Sequence, residues 1–317
     1  MATQSITLRQ VLTQAKPRPH CTWGKSRQRN TLNEIWPDLN TNPTAIWDEF
    51  NLENLNESYG HILDLSYPDQ LSPRADEILP YITLATSSDI HDLISWNNKL
   101  MAATVPFAMS QLGLHPGVFL CQKSAVADSY VSLPDAPASQ AGHIIYLDDI
   151  PKLAYNCNIS KTRYGYIQTD EELVVCCFSQ TAEKWRVKFM PISWTTHGFG
   201  ALTTDLALWW LCMLAMSSSE HRAIVSEDEM VKINEWDVIC LETDQNWVRR
   251  HRYSKLEEHI TPATTQSYTT SLLGPTVSLG AGKSIQDTER SDIEDAKILL
   301  NFAIKSGANV VSKQPDV

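Results

Sequence analysis

KTRYGYIQTDEELVVCCFSQTAEKWRVKFMPISWTTHGFGALTTDLALWWLCMLAM, residues 161–216, is the stretch whose reading decides the fold. Residues 163–168 and 172–178 are runs of aromatic and β-branched side chains parted by the turn-type pair Thr169-Asp170, the pattern of a hairpin. The second run, LVVCCF, is continuously apolar rather than alternating, as in a strand covered on both faces. Past a solvated turn at 180–183, Trp185, Val187 and Phe189 alternate with Arg186 and Lys188, which predicts a third strand with a basic outer face. Residues 191–200 break the regularity, and Thr203-Thr204-Asp205 offers a helix cap. From 206 to 216 hardly a polar side chain occurs, yet the run is short of the ~20 residues that cross a bilayer. It therefore predicts the central core helix of a large domain.

Working outward, the expected class is α/β (α+β): a central mixed sheet of about four to six strands with a buried apolar helix. Residues 88–258 form that core domain, preceded by a basic arm (1–30) and an acidic irregular layer (31–87) with one short helix at 45–55. Ser88-Asp89 opens a long helix whose apolar stripe runs from Ile90 to Met109, with Pro106 set to kink or divide it. Short strands are read at 118–121 and 143–147 around an exposed loop at 128–140. A helix follows from Asp148-Asp149, with Pro151 in its first turn, to about residue 160. Ser226 with Glu229 reads as a capping box for a helix towards Trp236, and 238–242 with 247–253 as a second hairpin. Residues 259–317 read as a flexible Ser/Thr/Gly segment ending in an amphipathic helix.

Charge narrows the function. The formal net charge of −11 works against nucleic-acid binding as the main task, because duplex binding rests on neutralising phosphates. Seven cysteines with no Cys-x-x-Cys spacing fit neither a disulfide framework nor a zinc cage, and suit reduced core residues in the cytosol or nucleus. Residues 1–30 carry Arg9, Lys16, Arg18, Lys25, Arg27 and Arg29 and no acid. Such a start suits either a mitochondrial transit segment or an arm that folds back onto the acidic stretch. No secretory signal or membrane span is read.

None of the strong catalytic signatures is intact. Gly280-Ala281-Gly282-Lys283-Ser284 resembles a phosphate-binding loop, but Val277 stands where its first glycine belongs. A metal-dependent nuclease needs Asp/Glu-x-Lys on a core strand. Only Lys297 has an acid two positions before it, and that pair lies in the terminal helix. His197 and Asp205, with Ser193, are the candidate catalytic set on the loop that enters the apolar helix, although no nucleophile elbow accompanies them. Arg249, Arg250 and Arg252 would meet an anion or neutralise the acidic stretch. Asp170, Glu171 and Glu172 cluster at a strand entry, where carboxylates either hold a cation or are solvated. His251 and His259 make a weak metal pair.

The block Arg163-Tyr164-Gly165-Tyr166-Ile167, Thr169 to Val175, and Leu206-Ala207-Leu208-Trp209 resembles a family of uncharacterised fungal proteins related to the PD-(D/E)XK, restriction-endonuclease-like fold. The resemblance implies that Pro134-Asp135 stands for the first acid of such a site. The acid-x-Lys strand is absent, and Lys152 stands where the family has a Gln. Asp135, Arg163, Asp170, Trp194 and Arg250 are the candidate binding residues, and no metal or cofactor is expected. One reading is a non-catalytic, degenerate nuclease-like accessory protein with an unknown protein or small-molecule partner. The other is an accessory enzyme acting on a small molecule in a fungal secondary-metabolite pathway, with an apolar pocket near 194–199.

Overall fold

The computed structural model describes residues 6–22, 45–68, 73–85, 90–114, 150–169, 171–181, 184–241 and 246–260. The expected strands at 118–121 and 143–147, the loop at 128–140 with Asp135, Asp170, the 280–284 loop and the tail from 261 lie outside the described residues. The chain divides into two compact units, Met1–Asn234 and Glu235–Val317, so the division falls inside the stretch read as one domain.

In chain order the first unit holds β1 (Ile6–Thr7), α1 (Leu8–Leu12), β2 (His20–Cys21), β3 (Ala45–Ile46), α2 (Leu52–Leu63), β4 (Ser66–Tyr67), α3 (Ala75–Ile78) with a 3-10 turn at Leu79–Tyr81, and β5 (Thr83–Leu84). There follow α4 (Ile90–Gln111), α5 (Ile150–Ile159), β6 (Tyr164–Gln168), β7 (Glu172–Gln180), β8 (Trp185–Ser193), α6 (Thr204–Ala215) and α7 (Ser219–Arg222). The second unit holds β9 (Trp236–Leu241), β10 (Asn246–His251) and β11 (Glu257–Ile260). The architecture is mixed α and β.

Its centre is a four-stranded mixed sheet in the order β3-β8-β7-β6. β6, β7 and β8 are antiparallel, with Tyr164 opposite Cys177 and Leu173 opposite Ile192, and β3 joins β8 in parallel. β7 is buried along its length up to Ser179, as a strand with two covered faces must be. Val174, Cys176 and Phe178 pack with Ile150, Ala154 and Cys157 of α5 on one face. α6 lies against the sheet with every residue from Thr204 to Leu214 buried. On that side Trp210 stacks on Phe50 at 4.3 Å, Phe50 meets Trp47 at 4.7 Å, and Trp47 stacks on Tyr164 at 6.0 Å. This aromatic column joins the helix to the sheet through residues of the acidic stretch.

Four expectations are corrected here. β8 runs through Pro191 to Ser193 instead of stopping at the proline. Proline is tolerated because β3 pairs with β8 no further than Phe189, so the nitrogen of Pro191 faces an open edge. The short helix expected at 45–55 is a strand, a turn and then α2, started where the Asn51 side chain accepts from the Asn54 N–H at 2.9 Å. Pro106 does not divide α4, which continues through it as one helix with a buried stripe that includes Leu93, Trp96, Leu100, Met101 and Val105. At 226–229 the Ser226 hydroxyl does reach Glu229, at 2.7 Å, but the segment closes a turn and no helix follows. Glu227 is drawn instead to Lys188 and Arg186 on β8.

The basic arm is not loose over residues 6–22. Leu8, Val11 and Leu12 are buried, β1 pairs with β4, and β2 pairs with β5. It does fold back onto the acidic stretch, since Arg9 meets Asp64 at 2.6 Å. In the second unit the order is β11-β10-β9, all antiparallel. There Arg249 pairs with Glu258, Arg250 with Glu257, and Arg252 with Asp237 and Glu235. These acids sit across from the arginines by strand register. Among the described residues no helix is long and apolar enough to cross a membrane.

Candidate functional site

The junction of the 194–203 loop with α6 collects the most unusual chemistry. The Thr203 hydroxyl accepts from the Leu206 N–H at 3.1 Å and donates to the Leu12 carbonyl at 2.6 Å. Next to it, the Asp205 carboxylate meets the Lys16 ammonium at 2.7 Å, the side chains being 2% and 1% exposed. Lys16 also donates to the Thr204 hydroxyl, and its Nζ lies 3.8 Å from the centroid of the Trp194 ring. The Trp96 indole donates to the same Asp205 oxygen at 3.3 Å, while Asp205 Oδ2 is buried with no hydrogen-bond partner among the described residues.

Two charges taken out of water lose several kcal/mol of hydration each, which their attraction offsets only when the geometry is good. Burial therefore pulls the Lys16 pKa below its ordinary value, and Asp205, by charge and hydrogen bond, pushes it part of the way back. A carboxylate in the first turn is also favoured by the helix dipole. An amine of lowered pKa can act as a base or nucleophile, but this one is sealed from solvent. Its work is to anchor the N-terminal segment. Gly198 N–H donates to Thr13 O at 3.1 Å, the Trp194 indole to Pro17 O at 3.3 Å, and Arg18 meets Glu171 at 3.1 Å across the same seam.

The Ser193, His197 and Asp205 set does not assemble. His197 is exposed, with Nδ1 2.7 Å from the Thr195 carbonyl; Ser193 shares a hydrogen bond with the Thr195 hydroxyl; Asp205 is turned inward to Lys16. Asp205 lies in the first turn of α6 and is taken up by Lys16, while Ser193 and His197 turn to Thr195 in the loop. Trp194 is buried as the floor under Lys16. Arg163 is buried, donating to the Tyr164 hydroxyl at 2.8 Å and to Val231 O at 2.5 Å, and so braces the start of β6. Arg250 is held by Glu257 on the neighbouring strand. Asp135 and Asp170 lie outside the described residues. His251 is buried, its Nδ1 accepting from the Ser254 N–H at 3.0 Å, and His259 is exposed opposite Val248. Among the described residues no three His, Cys, Asp or Glu side chains gather as a cation site.

An open cleft of about 470 Å³ lies beside the same loop, lined by Arg9, Asn56, Gly60, His61, Asp64 and Phe199 among others. Arg9 is its floor: a 5% exposed guanidinium that donates from Nε to Asp64 at 2.6 Å and from Nη1 to Asn56 at 2.6 Å. Phe199 stands over it at 5.2 Å and is 61% exposed. Partial burial lowers the pKa of His61. Neither Arg9 nor Lys16 was legible as a site residue. One signal was available on α2, where Leu52, Asn56, Gly60 and Asp64 recur every fourth residue and so share a face. A glycine in such a polar row marks a place where something approaches the backbone. No protein-family model, curated protein or solved structure matches this chain.

Proposed function

We propose that this protein is a non-catalytic binding or accessory protein built on a restriction-endonuclease-like core that lacks the residues for phosphodiester cleavage. The observation that carries the reading is the lining of the cleft. Among the described residues it offers donors, an acceptor and an aromatic wall, but no Ser, Thr, Cys or Lys nucleophile. Three consecutive antiparallel strands, with α5 against one face and α6 packed on the sheet, support the fold analogy, and none of those strands carries acid-x-Lys. The test is incubation of the purified chain with supercoiled plasmid, linear DNA and RNA in Mg²⁺ and in Mn²⁺. Intact nucleic acid is expected in every tube. Cutting that co-purifies with the chain and is lost on chelation would overturn the reading.

A second reading, an accessory enzyme acting on a small molecule in a fungal secondary-metabolite pathway, is favoured by one observation. His61, its pKa lowered by burial, lines the cleft with Asp64, so a neutral imidazole able to accept a proton is available there. A bound small molecule recovered unchanged after long incubation supports the first reading; a chemically altered one supports the second.

A further inference from the structure

We infer that Ser226 is a phosphorylation site for an acid-directed protein kinase, one whose substrate groove is basic. The inference stands apart from the cleft on α2 and from the reading built on it.

Only two serine or threonine residues of the chain are followed by three acids in a row: Thr169, before Asp170-Glu171-Glu172, and Ser226, before Glu227-Asp228-Glu229. A basic groove would accept either sequence by charge complementarity. The fold separates them. Thr169 is 6% exposed, and its hydroxyl is engaged on every side. It accepts from the Glu171 N–H at 3.1 Å and the Glu172 N–H at 3.0 Å, and it donates to the Glu172 carbonyl at 3.3 Å. Glu172 is itself buried at the start of β7, opposite Ser193. Presenting Thr169 to an enzyme would mean opening the β6–β7 hairpin next to the core strand.

Ser226 lies in the opposite setting. From Ala223 to Lys232 no residue is buried, and Glu227, Asp228 and Glu229 are all exposed. The turn is closed by the Glu229 N–H donating to the Ser226 carbonyl at 3.1 Å, and the Ser226 hydroxyl donates to Glu229 Oε2 at 2.7 Å. Glu227 reaches out to Lys188 and Arg186 on β8. One place before the serine, the Val225 carbonyl accepts from the Gln180 N–H at 3.0 Å, which fixes the turn beside the end of β7. A turn with no side chain to draw out of a core opens locally at little cost.

In the reaction Ser226 Oγ forms a bond to the γ-phosphorus of ATP. The bond from that phosphorus to the β–γ bridging oxygen breaks, its electron pair leaves on ADP, and the hydroxyl proton passes to the kinase's own base. The product carries about −1.5 to −2 of added charge beside three carboxylates. The Ser226–Glu229 hydrogen bond then gives way to repulsion, and Lys188 and Arg186 are the counter-charges that this turn already uses.

The experiment is incubation of the native full chain with casein kinase II, ATP and Mg²⁺, followed by tryptic peptide mapping with mass spectrometry. Trypsin places Ser226 in peptide 223–232 and Thr169 in peptide 164–184, so the two are read separately. The first peptide is expected to gain one phosphate while the second gains none. Glu229→Gln keeps an acceptor for the Ser226 hydroxyl and removes only the charge at that position. It is expected to slow the modification roughly tenfold, the loss of about one favourable charge contact. An unmodified 223–232 peptide, a Glu229→Gln rate equal to that of the wild type, or a phosphate reaching Thr169 as fast as Ser226 would each overturn the inference.

Discussion

Lys16 sits where a charged side chain is expensive, between a carboxylate, a hydroxyl and an indole face, all out of water. Lys16→Met would leave Asp205 buried and uncompensated, and should cost about 3–5 kcal/mol in a denaturant titration. Lys16→Met combined with Asp205→Leu should recover much of that loss, since an apolar pair of similar volume replaces a desolvated one. The pH dependence has a definite sign. Folding lowers the Lys16 pKa, so between its folded value and its unfolded value of about 10.4 the unfolded chain holds more protons. The contribution of Lys16 to stability therefore rises as pH rises through that window, and the burial penalty is full below it. The gap between wild type and Lys16→Met, measured from neutral to alkaline pH, should widen. Thiols give a separate check. Burial pushes the Cys157 and Cys176 thiols up, and Cys177 up to about 11, while Cys240 is exposed. Alkylation of the native chain followed by peptide mapping should modify Cys240 and spare Cys157, Cys176 and Cys177.

At the scale of elements, α5 packs close against β6 at Gly165. A Cβ at Gly165 would stand 2.9 Å from Cys157 Sγ and 2.9 Å from Leu153 Cδ1, on a residue whose backbone is paired with Cys176. Gly165→Ala should destabilise by about 1–3 kcal/mol, seen as a lower denaturation midpoint with an unchanged slope. The glycine in the Arg-Tyr-Gly-Tyr-Ile block is thus explained by helix–sheet contact. β7 and α6 were legible because a run with no polar side chain has to be covered on all sides, whatever covers it. α2 was misplaced because Trp47 and Phe50 lie among acids, and only the assembled core reveals that they stack between α6 and β6. Pro191 misled for a related reason. Whether a proline ends a strand depends on whether its nitrogen faces a neighbour, and that is a property of the sheet edge.

For the whole molecule, the N-terminal segment is the element whose role the fold changes most. Residues 6–22 pair with β4 and β5, bury Leu8, Val11 and Leu12, and lock Lys16 under Trp194. Deleting residues 1–22 should abolish the cooperative melt and expose dye-binding apolar surface. A deletion variant that melts like the full chain would instead suit a removable leader. What the residues determined alone was the covered strand β7, the capped apolar helix α6 and the hairpins, since periodicity and hydrophobicity act locally and need no named partner. Only the tertiary structure decided which charges meet. Arg9 finds Asp64 across 55 residues and Lys16 finds Asp205 across 189, and such pairs leave no periodic trace in a chain because they are selected by the geometry of a core already formed.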